Sequence, residues 1–499
     1  MVRPPRTLKE ELRIMFAARL RVRLAIALMG LFTIGITQAG PGETRQPAAT
    51  GWKIKFNESG SDPVIADGVL YIGSADGAIY ALDATTGETK WRFQTGENLS
   101  PATSGPQIIT MPRGSSEAEM MASIIDAAEK KKPEGLRRVD MTAAVENGTV
   151  FVGSGDQSFY AVDAATGNKK WVYEAGPGMV SHNFSDVARP PALLKAGTVY
   201  FATEDGLHAL DASTGKRKWL FETLQDIPLE QMNTHKRRPP EGAVLGDGVV
   251  FVTAWPYAGL RGPLPSFVYA VDQESGKAKW VTRVDGDGIT TPTTAKGLVF
   301  VAVKAAGSPA SDPVTLYALD AADGQVKWKR GLKATYTAPS LRIAGDSLYC
   351  STDKTLSAMD LESGVERWNF NADQIGVDPR ADDRYLYVVT HKGSIMRPKD
   401  TLHALLLATG EEKWSRDVNA SVAMVREGVV YADGEPFRAI DASTGKDLWT
   451  FKGTGRLSAR LMSGGRIFLT SPTVTYIGTK RVDQGYLYAI DAKTGRLDS

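Results

Sequence analysis

The phrase "YALDATTGETKW", from Tyr80 to Trp91, limits what this 499-residue chain can fold into more than any other feature, because it is written nine times. "YAVDAATGNKKW" starts at Tyr160, "HALDASTGKRKW" at His208, "YAVDQESGKAKW" at Tyr269 and "YALDAADGQVKW" at Tyr317. "SAMDLESGVERW" follows from Ser357, "HALLLATGEEKW" from His403 and "RAIDASTGKDLW" from Arg438; the last copy, "YAIDAKTGRLDS" from Tyr488, lacks its tryptophan. A recurring period of about 35 to 60 residues points to a solenoid, propeller or array. Nine separated copies cannot all be catalytic, so the phrase is a construction rule.

Each copy is preceded by short runs rich in Val, Tyr, Phe and Ile, cut by turn residues. "DPVIADGVLYIGSADGAIYALD", "AAVENGTVFVGSGDQSFYAVD" and "TAKGLVFVAVKA" share this plan, which reads as short β-strands. Fifty glycines in the chain fit many tight turns. Four strands per unit make an antiparallel sheet that cannot bury both faces alone, and radial stacking around a channel solves that problem. The prediction is an all-β fold, a single β-propeller of four-stranded antiparallel blades with nine units. "GWKIKF" at Gly51 resembles the end of a phrase whose beginning is missing, and the last copy has the beginning without the end. Trp52 is therefore predicted to supply the outer strand of the last blade, pairing N- and C-terminal strands and removing an exposed edge.

Within the phrase, Asp83 is placed to accept hydrogen bonds from backbone N–H groups two or three residues on. Gly87 supplies the positive φ that closes a three-residue loop with a bulge. The alanines, such as Ala81, Ala161 and Ala209, keep the inner strand slim. Trp52, Trp91, Trp171, Trp219, Trp280, Trp328, Trp368, Trp414 and Trp449 are predicted to dock between neighbouring blades. The departures, Leu406 for the aspartate and Ser357 and Arg438 for the leading aromatic, fit a structural role.

"A-x-D-x-x-T-G-x-x-x-W" resembles the tryptophan-docking repeat of the pyrroloquinoline quinone (PQQ) propeller family, from about Trp52 to Gly495. Two kinds of protein use that repeat: a scaffold of bacterial outer-membrane-protein assembly and quinoprotein dehydrogenases. The family norm is eight blades, against nine units here. The dehydrogenase resemblance would imply PQQ and calcium held by Glu, Asn and Asp, an aspartate base, an aromatic floor and an arginine. Many such enzymes also stack the cofactor on a disulfide of adjacent cysteines, which a chain with one cysteine, Cys350, cannot form. No Glu/Asn/Asp trio matches the calcium ligands, so no cofactor, no catalytic residue and no metal site is predicted. Cys350 ends the strand "DSLYC" and reads as a buried structural thiol.

Candidate ligand-binding residues are sought where the units differ. By repeat alignment Arg189, Arg238, Arg380 and Arg460 fall near the start of the innermost strand in four units, around one mouth of the channel. Guanidiniums there would attract an anionic ligand or an acidic peptide; the alternative is solvated arginines paired with Asp186, Glu241 or Asp378. His182 with Asn183, and Trp255 in "WPYAG", lie in longer loops and join the candidates. His208 and His403 occupy the phrase's aromatic position and are read as structural.

A stretch from about 105 to 138 carries "SSEAEMMASIIDAAEKKK", which reads as a helical insertion with an apolar stripe. Arg13, Arg19, Arg21 and Arg23 precede the apolar run Leu24 to Ile36, and "ITQAG" offers a cleavage site after Ala39. The expected organisation is a signal peptide (or N-terminal anchor) at 1–39, a flexible linker at 40–50 and the propeller at 51–499. The apolar run is shorter than the ~20 residues of a comfortable span, and no lipoprotein anchor is expected. A formal charge of +2 offers no reason to propose nucleic acid. The sequence thus points to an exported periplasmic or extracellular propeller, a monomer, acting as a protein-interaction scaffold or ligand-binding module. Its partner would be an envelope protein or peptide, or a small anion. The alternative is a PQQ- and calcium-dependent alcohol or sugar dehydrogenase.

Overall fold

The β-branched and aromatic runs do form strands, and the dipeptide turns between them set a strict up-and-down meander. The computed structural model describes residues 51–57, 61–74, 76–96, 139, 141–175, 191–225, 240–256, 265–286, 288–304, 314–332, 339–376, 378–394, 397–418, 420–477 and 480–497. Among these lie thirty-six strands in nine four-stranded antiparallel sheets, and no helix. The sheets are the blades of a nine-bladed β-propeller. Blade 1 comprises Val64–Ala66, Val69–Gly73, Ala78–Asp83 and Thr89–Gln94, strands A to D from the axis outwards. Blade 9 comprises Ser458–Ser463, Arg466–Ile477 and Lys480–Asp491, and its outer strand is Trp52–Asn57 from the other end of the chain. That strand pairs antiparallel, Trp52 opposite Ala489 and Asn57 opposite Gln484, so the ring closes as predicted.

The phrase spans strand C, the turn and strand D, so its alanine lies third from the axis rather than innermost. Asp83 Oδ1 accepts from the amides of Thr85 (2.9 Å) and Thr86 (3.0 Å), while the Gly87 amide donates to the Asp83 carbonyl at 2.8 Å. Gly87 has φ 76°, and the register shifts between Ala81 and Leu82. The seventh turn keeps this backbone without the aspartate: Gly410 N–H still donates to Leu406 O at 2.8 Å. The carboxylate therefore reinforces the turn, and the glycine defines it.

The glycine has a second task that its spacing does not announce. A Cβ on Gly87 would sit 2.7 Å from Trp52 Cδ2, and one on Gly215 would sit 2.6 Å from Trp171 Cδ2. Each tryptophan of the nine lies on the turn glycine of the following blade, through to Trp449 on Gly495. Its indole N–H donates to a carbonyl of that same turn: Trp52 to Ala84 (3.2 Å), Trp91 to Ala164 (3.0 Å), Trp171 to Ala212 (3.0 Å). Trp219, Trp280, Trp328, Trp368, Trp414 and Trp449 repeat the bond. Nine apolar clusters result, each shared by two consecutive blades; Trp52, Phe468 and Leu487 with Leu70 and Ile72 fill the closing one. Gly215→Ala is expected to cost about 2–4 kcal/mol, a left-handed φ for alanine added to overpacking against Trp171. Urea denaturation checks this, with Gly197→Ala as the comparison, since Gly197 has φ 70° but nothing within 4 Å of its Cβ position.

The meander sorts the connections onto two faces. A–B and C–D turns share one face, the turn face, and all are short. B–C and D–A connections share the other, the loop face. The described strands on either side of 97–138, 176–190, 226–239, 257–264 and 305–313 end and restart at the loop face. The expected signal and linker (1–50) and the expected helical insertion (about 105–138) lie outside the described residues.

Candidate functional site

The A strands are short and half-buried, as in Val64–Ala66 and Ser340–Ala344, because one side of each faces the channel. Their first residues stand at its loop-face mouth. Arg380 opens the A strand of blade 7 (Arg380–Ala381), and its Nη2 lies 2.7 Å from Asp378 Oδ2. The other oxygen of Asp378 is 2.5 Å from Nη2 of Arg342, in the A strand of blade 6. One carboxylate is thus shared by two guanidiniums from adjacent blades. The Nε atoms of both arginines are closed off from solvent and have no hydrogen-bond partner. Burial lowers the Arg380 pKa from its usual value, with Arg342 adding to that effect and Asp378 opposing it.

The charged rim continues through blades 8, 9 and 1. Asp433 is the penultimate residue of the B strand of blade 8 (Val429–Gly434) and accepts from Ser458 Oγ (2.6 Å) and the Ala459 amide (2.7 Å) of blade 9. Burial pushes its carboxyl up from the ordinary value against these bonds and the pull of Arg460 and Arg456. Arg460 Nε stands 3.4 Å from Asp62 Oδ1 of blade 1, across the closing interface. Arg456, exposed, reaches Ser421 Oγ of blade 8 at 3.5 Å.

Of the residues singled out from sequence, Arg380 and Arg460 both stand on this rim, linked electrostatically through Asp433. Arg189, Arg238, His182 and Asn183 lie outside the described residues. Trp255 stands elsewhere on the loop face: its indole N–H donates to Glu241 Oε2 at 3.2 Å, and its ring packs against the cluster of blades 4 and 5. Sequence reasoning missed Arg342, Asp433 and Arg456. The available signal was a charge inside an A strand, "SLRIA", where Leu341 and Ile343 flank Arg342.

The histidines at the phrase's aromatic position are held inside the blades. His208 is buried between Tyr173 and Thr203, with Nδ1 3.3 Å from Tyr173 Oη and Nε2 2.8 Å from Thr203 Oγ1. His403 meets Glu412 Oε2 at 2.6 Å and Thr390 Oγ1 at 2.9 Å. A third histidine, His391, pairs with the buried Asp400 at 2.8 Å. Burial pushes the Cys350 thiol up to about 12, so it stays protonated and inert. Among the described residues no three His, Cys, Asp or Glu side chains converge on a metal position.

A family model described as outer membrane protein assembly factor BamB matches residues 45–120, 138–226, 229–374 and 352–498. An outer membrane protein assembly factor BamB of Moranella endobia is 26% identical over 251 residues, 46% of this chain and 58% of that protein. The lupanine 17-hydroxylase [cytochrome c] of a Pseudomonas species is 24% identical over 469 residues, 80% of this chain and 64% of that protein. The chain thus spans under two thirds of the length of either relative. Among solved structures, BamB of Moraxella catarrhalis aligns with a TM-score of 0.46 at 16% identity, covering 76% of this chain and 95% of that one. With nine phrase-built blades and family-model matches running from residue 45 to 498, the chain belongs to the PQQ-like propeller family described as outer membrane protein assembly factor BamB.

Proposed function

We propose that the chain is a non-enzymatic scaffold of the bacterial cell envelope whose loop face docks a partner protein. The observation that carries this reading is the one-sidedness of the ring: regular turns on one face, and all the long connections with the charged mouth on the other. Binding surfaces concentrate on irregular connections held by a rigid frame. Family membership and the BamB relatives support an envelope partner. In this reading residues 1–39 direct export, 40–50 form the linker, and the insertion at about 105–138 belongs to the docking face.

Photo-crosslinkers placed at Lys354 and Arg456, exposed on the loop face, are expected to trap envelope proteins in cells. Crosslinkers at Thr85 and Glu274, exposed on the turn face, are expected to trap none. Adducts from the turn face alone would overturn the docking assignment. Dye-linked oxidation of an alcohol or sugar by the purified chain with PQQ and calcium would replace the scaffold by the dehydrogenase reading.

A further inference from the structure

We propose that Asp378 is a built-in stand-in for a ligand carboxylate, and that Arg342 and Arg380 form an exchange site for an acidic side chain on a partner's extended segment. The inference rests on the reading that the loop face meets a protein partner, and it assigns that partner its chemistry.

Three features of the pair point this way. Each guanidinium grips Asp378 through Nη2 only, at 2.5 and 2.7 Å, although an arginine fork is built to hold a carboxylate with two parallel donors. Both Nε groups are left without acceptors. Two positive charges thus share one negative charge, and the next acid along the rim, Asp433, is already held by Ser458 and Ala459. The group is reachable: Arg342 and Arg380 are each 33% exposed and Asp378 is 46% exposed.

The backbone at Asp378 also dictates which substitution can test the pair. Its φ is 68°, in the left-handed region that non-glycine residues seldom occupy. Its amide is tied only to Ser340 Oγ of blade 6, at 3.3 Å. Asparagine and aspartate tolerate this region best, so Asp378→Asn preserves the loop while removing the internal charge. The commitment to a peptide rather than a free anion comes from the rim beyond the pair. Arg456 and Arg460 continue it over blades 8, 9 and 1, and each is held by contacts of 3.4 Å or longer. A chain bearing several carboxylates engages such an arc at more than one point; a small anion does not.

The test uses the full-length chain and a labelled hexaglutamate peptide at low salt, read by fluorescence anisotropy. Asp378→Asn is expected to tighten binding about tenfold and the Arg342→Gln/Arg380→Gln pair to weaken it by about tenfold or more. Lys327→Gln, on an outer strand, should bind as the parent does. Because misfolding cannot raise affinity, the Asp378→Asn arm keeps its meaning if the double variant folds poorly. An unchanged or weaker Asp378→Asn, or a folded double variant that binds normally, overturns the site. Sulfate competing as well as hexaglutamate at equal charge overturns the peptide assignment in favour of a small anion. Loop-face crosslinks that survive in the double variant leave the scaffold standing without this site. Hexaglutamate binding that follows the variants, in a chain that yields no crosslinks, leaves the site standing without the scaffold.

Discussion

Trp52→Ala is expected to lower the stability of the ring by about 3–5 kcal/mol, the range for emptying a large aromatic site in a packed core, and to release the outer strand of blade 9. Trp52 is buried, its ring lies on Gly87, its N–H donates to Ala84 O, and Phe468 packs at 5.9 Å. Eight of the nine blades are built from four consecutive strands. Blade 9 is completed by a six-residue strand paired with residues 484–489, over 400 positions away. The entropy of bringing those ends together is borne by that strand and the tryptophan it carries. Trp328→Ala is the control, because it opens a similar site between blades whose strands are continuous. Urea denaturation with limited proteolysis separates the two. For Trp52→Ala, cleavage within 51–57 should precede global unfolding; for Trp328→Ala, the first cut should come with it. Identical proteolysis of both variants would show that closure does not depend on this residue.

Below neutral pH the folded chain is expected to lose roughly 3 kcal/mol between pH 6.5 and 4 through His208 alone. Burial, with a smaller push from Arg217, lowers its pKa from 6.5 to about 4. Phe201 stacks on the imidazole at 4.9 Å, and Tyr173 meets it edge-on. The sign follows from where the proton binds first. Above pH 6.5 the imidazole is neutral in both states and folding carries no penalty. Between 6.5 and 4 the unfolded chain takes up the proton and the folded chain does not, so stability falls as pH falls. The turn aspartates act lower: Asp211 and Asp272, held down to about 2 chiefly by hydrogen bonds in their turns, stay ionised in the folded state through this window. His208→Phe keeps the stack on Phe201 and removes the titrating group. Its unfolding free energy should be nearly flat from pH 6.5 to 4.5 relative to the parent. A parallel slope in both proteins would assign the acid sensitivity elsewhere.

The two histidines that the repeat treats alike show where sequence reading stops. His208 and His403 stand at the same position of their phrases, and strand alternation turns both toward a neighbouring blade. From that blade each receives an aromatic ring, Tyr173 for His208 and Phe370 for His403; within their own blades Phe201 and Thr203 enclose His208, whereas the Glu412 carboxylate meets His403. The mouth behaves in the same way. Arg380 was legible because it begins an A strand after a visible loop. Arg342 was not, because it sits between Leu341 and Ile343 in a strand that reads as core.

Local spacing was enough for the number of repeat units, the glycine turns and the closing strand. Each of these depends on residues within one phrase, or on a phrase cut at a known point. The stacking of blades decided the rest. The seat of each tryptophan on the next turn glycine, and the meeting of Arg342 with Asp378 across 36 residues, join units that no periodicity couples. Only the distance and angle between packed sheets bring those atoms together.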